Sequence, residues 1–389
     1  MIRLVELLNA FGQWLVAHLG RMSVELAVLS MAALVLIACV GLPAIAASAP
    51  AKPGTPIKQL ESYRWKPMWN SHIASLKAAA DALGVDVSVP WLYGTTGYAF
   101  LMNIHEAMCP SSWHVVNVPV KERMAGVGLE VEYLTDPVHT CDRKPEMQQR
   151  AWDGVRKAID AGLPCYGYDL EIGDYYAVYG HDDVGYYYSG PRCVDGKGPL
   201  PWQDYGVTSQ VGIIYMLSVG KGTPGDDVAV VGDALALALQ EAQHADGAGE
   251  LYKCGLAGYD QWIQSLETGK ADGFGASYNA QCYAESRRNA VAFMKEARER
   301  LKGKVDADFD PAIAHYEAVA QNLQTVAETF PFMDFTPDHI KDKERIATAV
   351  EALKAARTAE EKGLQALAAA MEQALNSTRD ARQNSPVSL

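Results

Sequence analysis

The sequence predicts an α+β protein: an antiparallel sheet domain packed with a C-terminal helical domain. The sheet is announced by Cys165 to Leu170, Tyr175 to Tyr179 and Val184 to Tyr188, runs rich in β-favouring residues. Eight of the chain's nineteen tyrosines lie between Tyr166 and Tyr188. Between the second and third runs, Gly180-His181-Asp182-Asp183-Val184-Gly185 supplies the turn chemistry of a hairpin. The helical domain is announced after Asp226, where apolar residues take up helical spacing and keep it to Leu375. At 389 residues and 49% hydrophobic content, the chain has material for two cored domains.

Taken in order, Met1 to Arg21 is an amphipathic lead. Leu26 to Leu42 is apolar and uncharged, and it is followed by Pro43 and the small residues Ala44-Ile45-Ala46-Ala47-Ser48-Ala49. Residues 1–49 are expected to be an export signal cleaved after Ala46 or Ala49, with two alternatives open. One is an uncleaved membrane anchor; the other is lipid attachment at Cys39 within Leu36-Ile37-Ala38-Cys39. Each places residues 57–389 outside the cytoplasm, periplasmic or extracellular, free or membrane-anchored. Residues 50–56 (PAKPGTP) read as a linker.

Leu60, Trp65, Trp69, Ile73, Leu76, Ala80 and Leu83 predict a helix over 57–84, stopped by Gly84. A second helix is expected from a cap at Thr95 or Thr96, with Phe100, Leu101, Ile104 and Met108 inward and a stop at Pro110. Gly126 and Gly128 mark a short helix-turn element. Trp152, Val155 and Ile159 predict a helix ending at Gly162 and Pro164, before the tyrosine-rich runs. Val211 to Val219 reads as a buried strand completing the sheet. Helices then follow over 228–245, 256–267, 278–302, 310–330 and 338–375, ahead of a polar tail at 376–389.

The formal charge of −13, with no basic stripe, excludes a phosphate-binding surface, so nucleic acid is not an expected partner. In an exported chain, Cys109, Cys141, Cys165, Cys193, Cys254 and Cys282 predict disulfides. Sequence proximity suggests Cys165 with Cys193, Cys254 with Cys282 and Cys109 with Cys141, against the alternative of buried thiols. No C-x-x-C spacing supports zinc, and His181-Asp182-Asp183 reads as a solvated turn before a metal site, so no metal and no cofactor are expected. His105 and Cys109 stand four apart, a spacing at which imidazole and thiol would meet on a helix.

The order of helix, AIDAGLPC, strand and AVYGHDDVGYYYSGP resembles a papain-like domain of the double-glycine peptidase type and the related butirosin biosynthesis protein H-like proteins, over roughly residues 88 to 220. With that resemblance, residues 57–225 are expected to be a papain-like α+β domain, followed by the helical domain that the apolar spacing places at residues 226–375. Leu256 to Ile263 and Ser277 to Gln281 are similar to segments of bacterial relatives of that type. It implies a catalytic cysteine at the first turn of a buried helix, and the aligned residues here are Thr96-Gly97-Tyr98. The position implied for the histidine falls on Asp174 or Tyr175, and that of the acidic third member on Gly190. None of these three can pass a proton between imidazole and thiolate.

The expected function is therefore a binding or interaction protein on a catalytically degenerate papain-like domain. Its cleft would be walled by Trp91, Thr95, Thr96, Tyr98, Tyr175, Tyr176 and Tyr187 and would take a peptide or small molecule. One alternative is an amide hydrolase or acyl transferase with Thr96 or a free cysteine as nucleophile and Asp174 as base or orienter. Another is a structural subunit held in a membrane complex by its N-terminal segment.

Overall fold

In a computed structural model the described residues are 57–110, 119–135, 144–243 and 250–383. The expectations for residues 1–49, the 50–56 linker, Cys39 and Cys141 lie outside them. Among the described residues, no helix is long and apolar enough to cross a membrane.

The architecture is mixed α/β. The first elements are β1 (Lys58–Gln59), α1 (Ser71–Ala82), α2 (Val89–Thr96), β2 (Asn103–His105), α3 (Val120–Gly126) and β3 (Leu129–Tyr133). Then come α4 (Lys144–Asp160), β4 (Cys165–Tyr168), β5 (Tyr175–His181), β6 (Gly185–Gly190), β7 (Cys193–Pro201) and β8 (Tyr215–Lys221). The remainder is α5 (Asp227–Gln243), β9 (Tyr252–Cys254), α6 (Gly255–Glu267), α7 (Gly273–Leu301), α8 (Asp310–Thr329) and α9 (Lys343–Gln383).

The main sheet is antiparallel, ordered β3-β8-β4-β5-β6-β7, with β1 also on β5, while β2 and β9 form a separate pair. Side chains alternate across it as a pleat requires. Tyr166, Ala177 and Tyr179 face a core shared with α1, α2 and the C-terminal helices, whereas Tyr176, Val178, Tyr186 and Tyr188 face Trp152, Val155 and Ile159 of α4. The sheet thus lies between α4 on one side and the helical layer on the other. Residues 55–389 form one compact unit, and the larger core runs from Tyr63 to Leu367. The boundary expected at 225/226 is therefore a switch of element type inside one packed body.

Across this body a buried ion pair joins α7 to α9. The Arg287 guanidinium donates to both Glu360 carboxylate oxygens (2.9 and 2.7 Å) and to the carbonyls of Ala99 (2.9 Å) and Leu101 (3.0 Å). The Tyr259 hydroxyl completes the Glu360 shell. Burial works against the Arg287 charge, and the Glu360 carboxylate more than offsets it, so the group stays firmly protonated.

Two expected helices are corrected. Of 57–84, only Ser71–Ala82 is helical; Pro67 disfavours helix at Lys66, and Asn70 starts α1 by accepting the Ile73 N–H at 3.0 Å. The helix expected after Thr95 or Thr96 is absent, because those residues end α2 instead of opening it. Ser88 caps α2 and takes the Trp91 N–H at 3.0 Å, Pro90 sits in its first turn, and Gly97 closes it at φ 88°. The expected position of Ile104 on a helix is taken by β2.

The proposed disulfides are also corrected. Cys165 and Cys193 are free thiols on β4 and β7, three strand positions apart, on the order of 14 Å, where a disulfide needs Cα atoms within roughly 7 Å. Cys254 and Cys282 are not joined either: the first thiol meets Asn103 Oδ1 (3.4 Å) and the second the Trp69 carbonyl (3.9 Å).

Candidate functional site

α1 begins where the chain leaves the irregular segment after β1, and its first residue is Ser71. The Ser71 hydroxyl donates to Asp174 Oδ1 at 2.8 Å and accepts the Tyr175 N–H at 3.0 Å. A hydroxyl at the first turn of a buried helix is thereby held against a carboxylate at the entry of β5. As the first two residues of α1, Ser71 and His72 carry N–H groups without intrahelical acceptors. The segment before α1 is fixed from α7, because Glu285 Oε1 accepts the N–H groups of Trp69 (2.9 Å) and Asn70 (3.2 Å) and the Tyr93 hydroxyl.

Asp174 is positioned by a tight loop. Asp169, buried and left-handed at φ 65°, donates its N–H to the Asp174 carbonyl at 2.8 Å. Its own carboxylate accepts from the Ser209 hydroxyl (2.8 Å) and the N–H groups of Gly212 (2.7 Å) and Ile213 (3.0 Å), which clamps the neighbouring loop. Burial pushes the Asp174 carboxyl up to about 6, against the weaker pull of the Ser71 hydroxyl, the Arg192 charge and the Tyr278 phenol. Arg192 stands in the β6–β7 turn at φ 70°, a left-handed backbone that costs a non-glycine residue about 1–2 kcal/mol.

One wall of the site is aromatic. Trp69 lies 5.1 Å from Phe332 and 6.3 Å from Tyr278, centroid to centroid, and Phe274 lies 5.4 Å from Phe332. Phe274 is 46% exposed and the adjoining Met333 85% exposed, so this wall opens to solvent. Behind the pair, His72 is committed elsewhere. Its Nδ1 meets the Tyr98 hydroxyl (3.1 Å), its Nε2 meets the Tyr166 hydroxyl (3.1 Å), and its ring stacks on Tyr175 at 4.2 Å.

The residues anticipated from sequence separate into groups. Asp174 and Tyr175 do meet a hydroxyl at a helix start, but that hydroxyl belongs to Ser71. Thr96 is fully buried and bonds back to the Leu92 (2.7 Å) and Tyr93 (3.2 Å) carbonyls, and Thr95 does the same to Trp91 (2.7 Å). At the C-terminal end of a helix the dipole would oppose a developing oxyanion or thiolate. The expected cleft is not formed: Trp91 packs on Phe293 at 5.3 Å, Tyr98 and Tyr175 surround His72, and Tyr176 faces the α4 side of the sheet. Tyr187 is tied to Asp182 at 2.9 Å. A β-carbon at Gly190 would come within 2.2 Å of the Tyr176 ring, so the implied third catalytic position has no room for an acid.

His105 ends β2 and does not share a helix with Cys109. Asp182 Oδ1 accepts from Val184 (2.7 Å) and Gly185 (2.9 Å), the turn chemistry expected of it, and no metal-binding cluster occurs among the described residues. Ser71 and Arg192 are the candidate site residues that sequence reasoning missed. The signal for Ser71 was present in Pro67 and Asn70, which together place a helix start one residue before it.

Compared with protein-family models and with curated proteins, the chain matches none.

Proposed function

We propose that this chain is an exported or membrane-anchored binding protein, built on a papain-like frame whose reacting pair is replaced. The single observation that carries it is the Ser71–Asp174 contact: a hydroxyl at a helix start meets a carboxylate at the strand entry where the resemblance implies an imidazole. A carboxyl ionising near 6 falls within the range of a general base, but it stands alone: the imidazole of the neighbouring His72 spends both nitrogens on tyrosines and adds no relay to the pair. What remains is a polar seat beside an exposed aromatic wall, a combination that holds a peptide or small amphipathic molecule.

The second reading is acyl transfer or amide hydrolysis with Ser71 as nucleophile, favoured by its place at the N-terminus of α1. The test is to treat the full chain with a fluorophosphonate probe and digest it for mass spectrometry. No adduct at Ser71 is expected, at any pH at which the chain stays folded. An adduct that disappears in Ser71→Ala would overturn the binding-only assignment in favour of the enzyme.

A further inference from the structure

A concavity of about 400 Å³ opens beneath the β6–β7 turn, lined by Leu170, Ile172 and Leu200 among apolar residues and by Glu171, Lys197 and Arg192 among charged ones. Its internal charges are mostly matched. Glu171 takes the Lys197 ammonium and the Tyr188 hydroxyl (2.8 Å), and although burial alone would raise its carboxyl, these partners and Arg192 hold it below the usual range. Arg192 differs: it is exposed at the mouth and takes part in no hydrogen bond or ion pair among the described residues. The turn keeps it at φ 70°, a position where glycine is the default choice. Its charge pulls down the Asp174 carboxyl as well as that of Glu171.

We propose that this cavity binds a ligand by its carboxylate, the C-terminal end of a peptide, with the Arg192 guanidinium across both carboxylate oxygens and the last side chain on Leu170, Ile172 and Leu200. Among the residues that line the cavity, Arg192 and Lys197 against Glu171 leave one net positive charge, which suits a monoanion and is exceeded by a dianionic phosphate. The flat, forked guanidinium matches a carboxylate in a way an ammonium does not. The inference rests on the binding role proposed above and names the ligand class of that same region.

The experiment uses the full chain and two probes, N-acetyl-Ala-Leu as the free acid and as its C-terminal amide, titrated by calorimetry. The acid is expected to bind at roughly millimolar affinity or better and the amide at least about tenfold more weakly. Arg192→Gln should abolish that preference and Arg192→Lys should keep only part of it, with circular dichroism unchanged in both. Equal binding of acid and amide, no binding of either, or an unaltered preference in Arg192→Gln overturns the carboxylate site. Hexanoate competing as well as the peptide would assign the carboxylate to free acids while leaving the Arg192 contact standing. A reactive Ser71 would overturn the binding-only function and leave the acid-over-amide preference intact, so the two failures are separable.

Discussion

Replacing Asp174 by asparagine tests whether the carboxylate at the heart of the site is as poorly solvated as its surroundings imply. The group ionises near 6 in the fold and near 3.8 in an exposed chain. Each pH unit between the two is worth about 1.4 kcal/mol, so full ionisation inside the protein costs about 3 kcal/mol. Between those pH values the folded chain holds the proton and the unfolded chain has lost it. Stability therefore falls as pH rises from 3.8 through 6, and the cost is fully present above that. Asparagine keeps an oxygen for the Ser71 hydroxyl and carries no charge. Because the Asp174 residue retains some solvent contact, Asp174→Asn should be more stable than the parent by about 1–3 kcal/mol near neutral pH, with the advantage shrinking towards about pH 4. Urea unfolding followed by tryptophan fluorescence, run on both proteins across that range, reads the difference directly, and other titrating groups cancel. A difference that does not change with pH would refute the argument.

Elsewhere, Glu360→Gln should destabilise the fold by about 3–5 kcal/mol, because it strands the Arg287 charge without a counterion, and Arg287→Met with Glu360→Leu together should recover much of that loss. Chemical denaturation of the parent and the two variants checks both statements. Arg192→Gly should stabilise by about 0.5–1 kcal/mol, the relief of the left-handed turn less the added freedom of the unfolded chain, while removing the guanidinium from the cavity mouth. Thermal unfolding beside the acid and amide titration would show gain and loss in one variant. Gly94→Ala drives a β-carbon to 2.2 Å from the Phe293 ring where α2 crosses α7, and should cost about 1–3 kcal/mol in the same assay.

The centre of the sheet was legible because β4, β5, β6 and β8 are dense in tyrosine and aliphatic residues, with Gly180 to Gly185 as an unmistakable turn. β7 was not legible: Gly196, Gly198, Pro199 and Pro201 read as loop, and only its place at the sheet edge lets such residues form a strand. The C-terminal helices follow their apolar seams closely. What periodicity does not reveal is that they share a core with the sheet. At the site, Asp174 was legible from its distance to Gly180, but its partner was misassigned. Leu60, Trp65 and Trp69 mimic helical spacing across Pro67, which hid the true start of α1 at Ser71, while Thr95-Thr96-Gly97 imitates a start where it is a stop. Arg192 was invisible, since nothing in Gly190-Pro191-Arg192-Cys193 announces where a turn will aim its third side chain.

The arginine in the middle of α7 leans on a carboxylate that the ribosome delivers seventy-three residues later, and on carbonyls made nearly two hundred residues earlier. Until Glu360 emerges, the nascent chain must keep that cation wet, and the layer around it open. Completion of the body is thereby postponed until α9 has been made, so factors that shelter unfinished chains would have that whole interval to act on this part of the molecule.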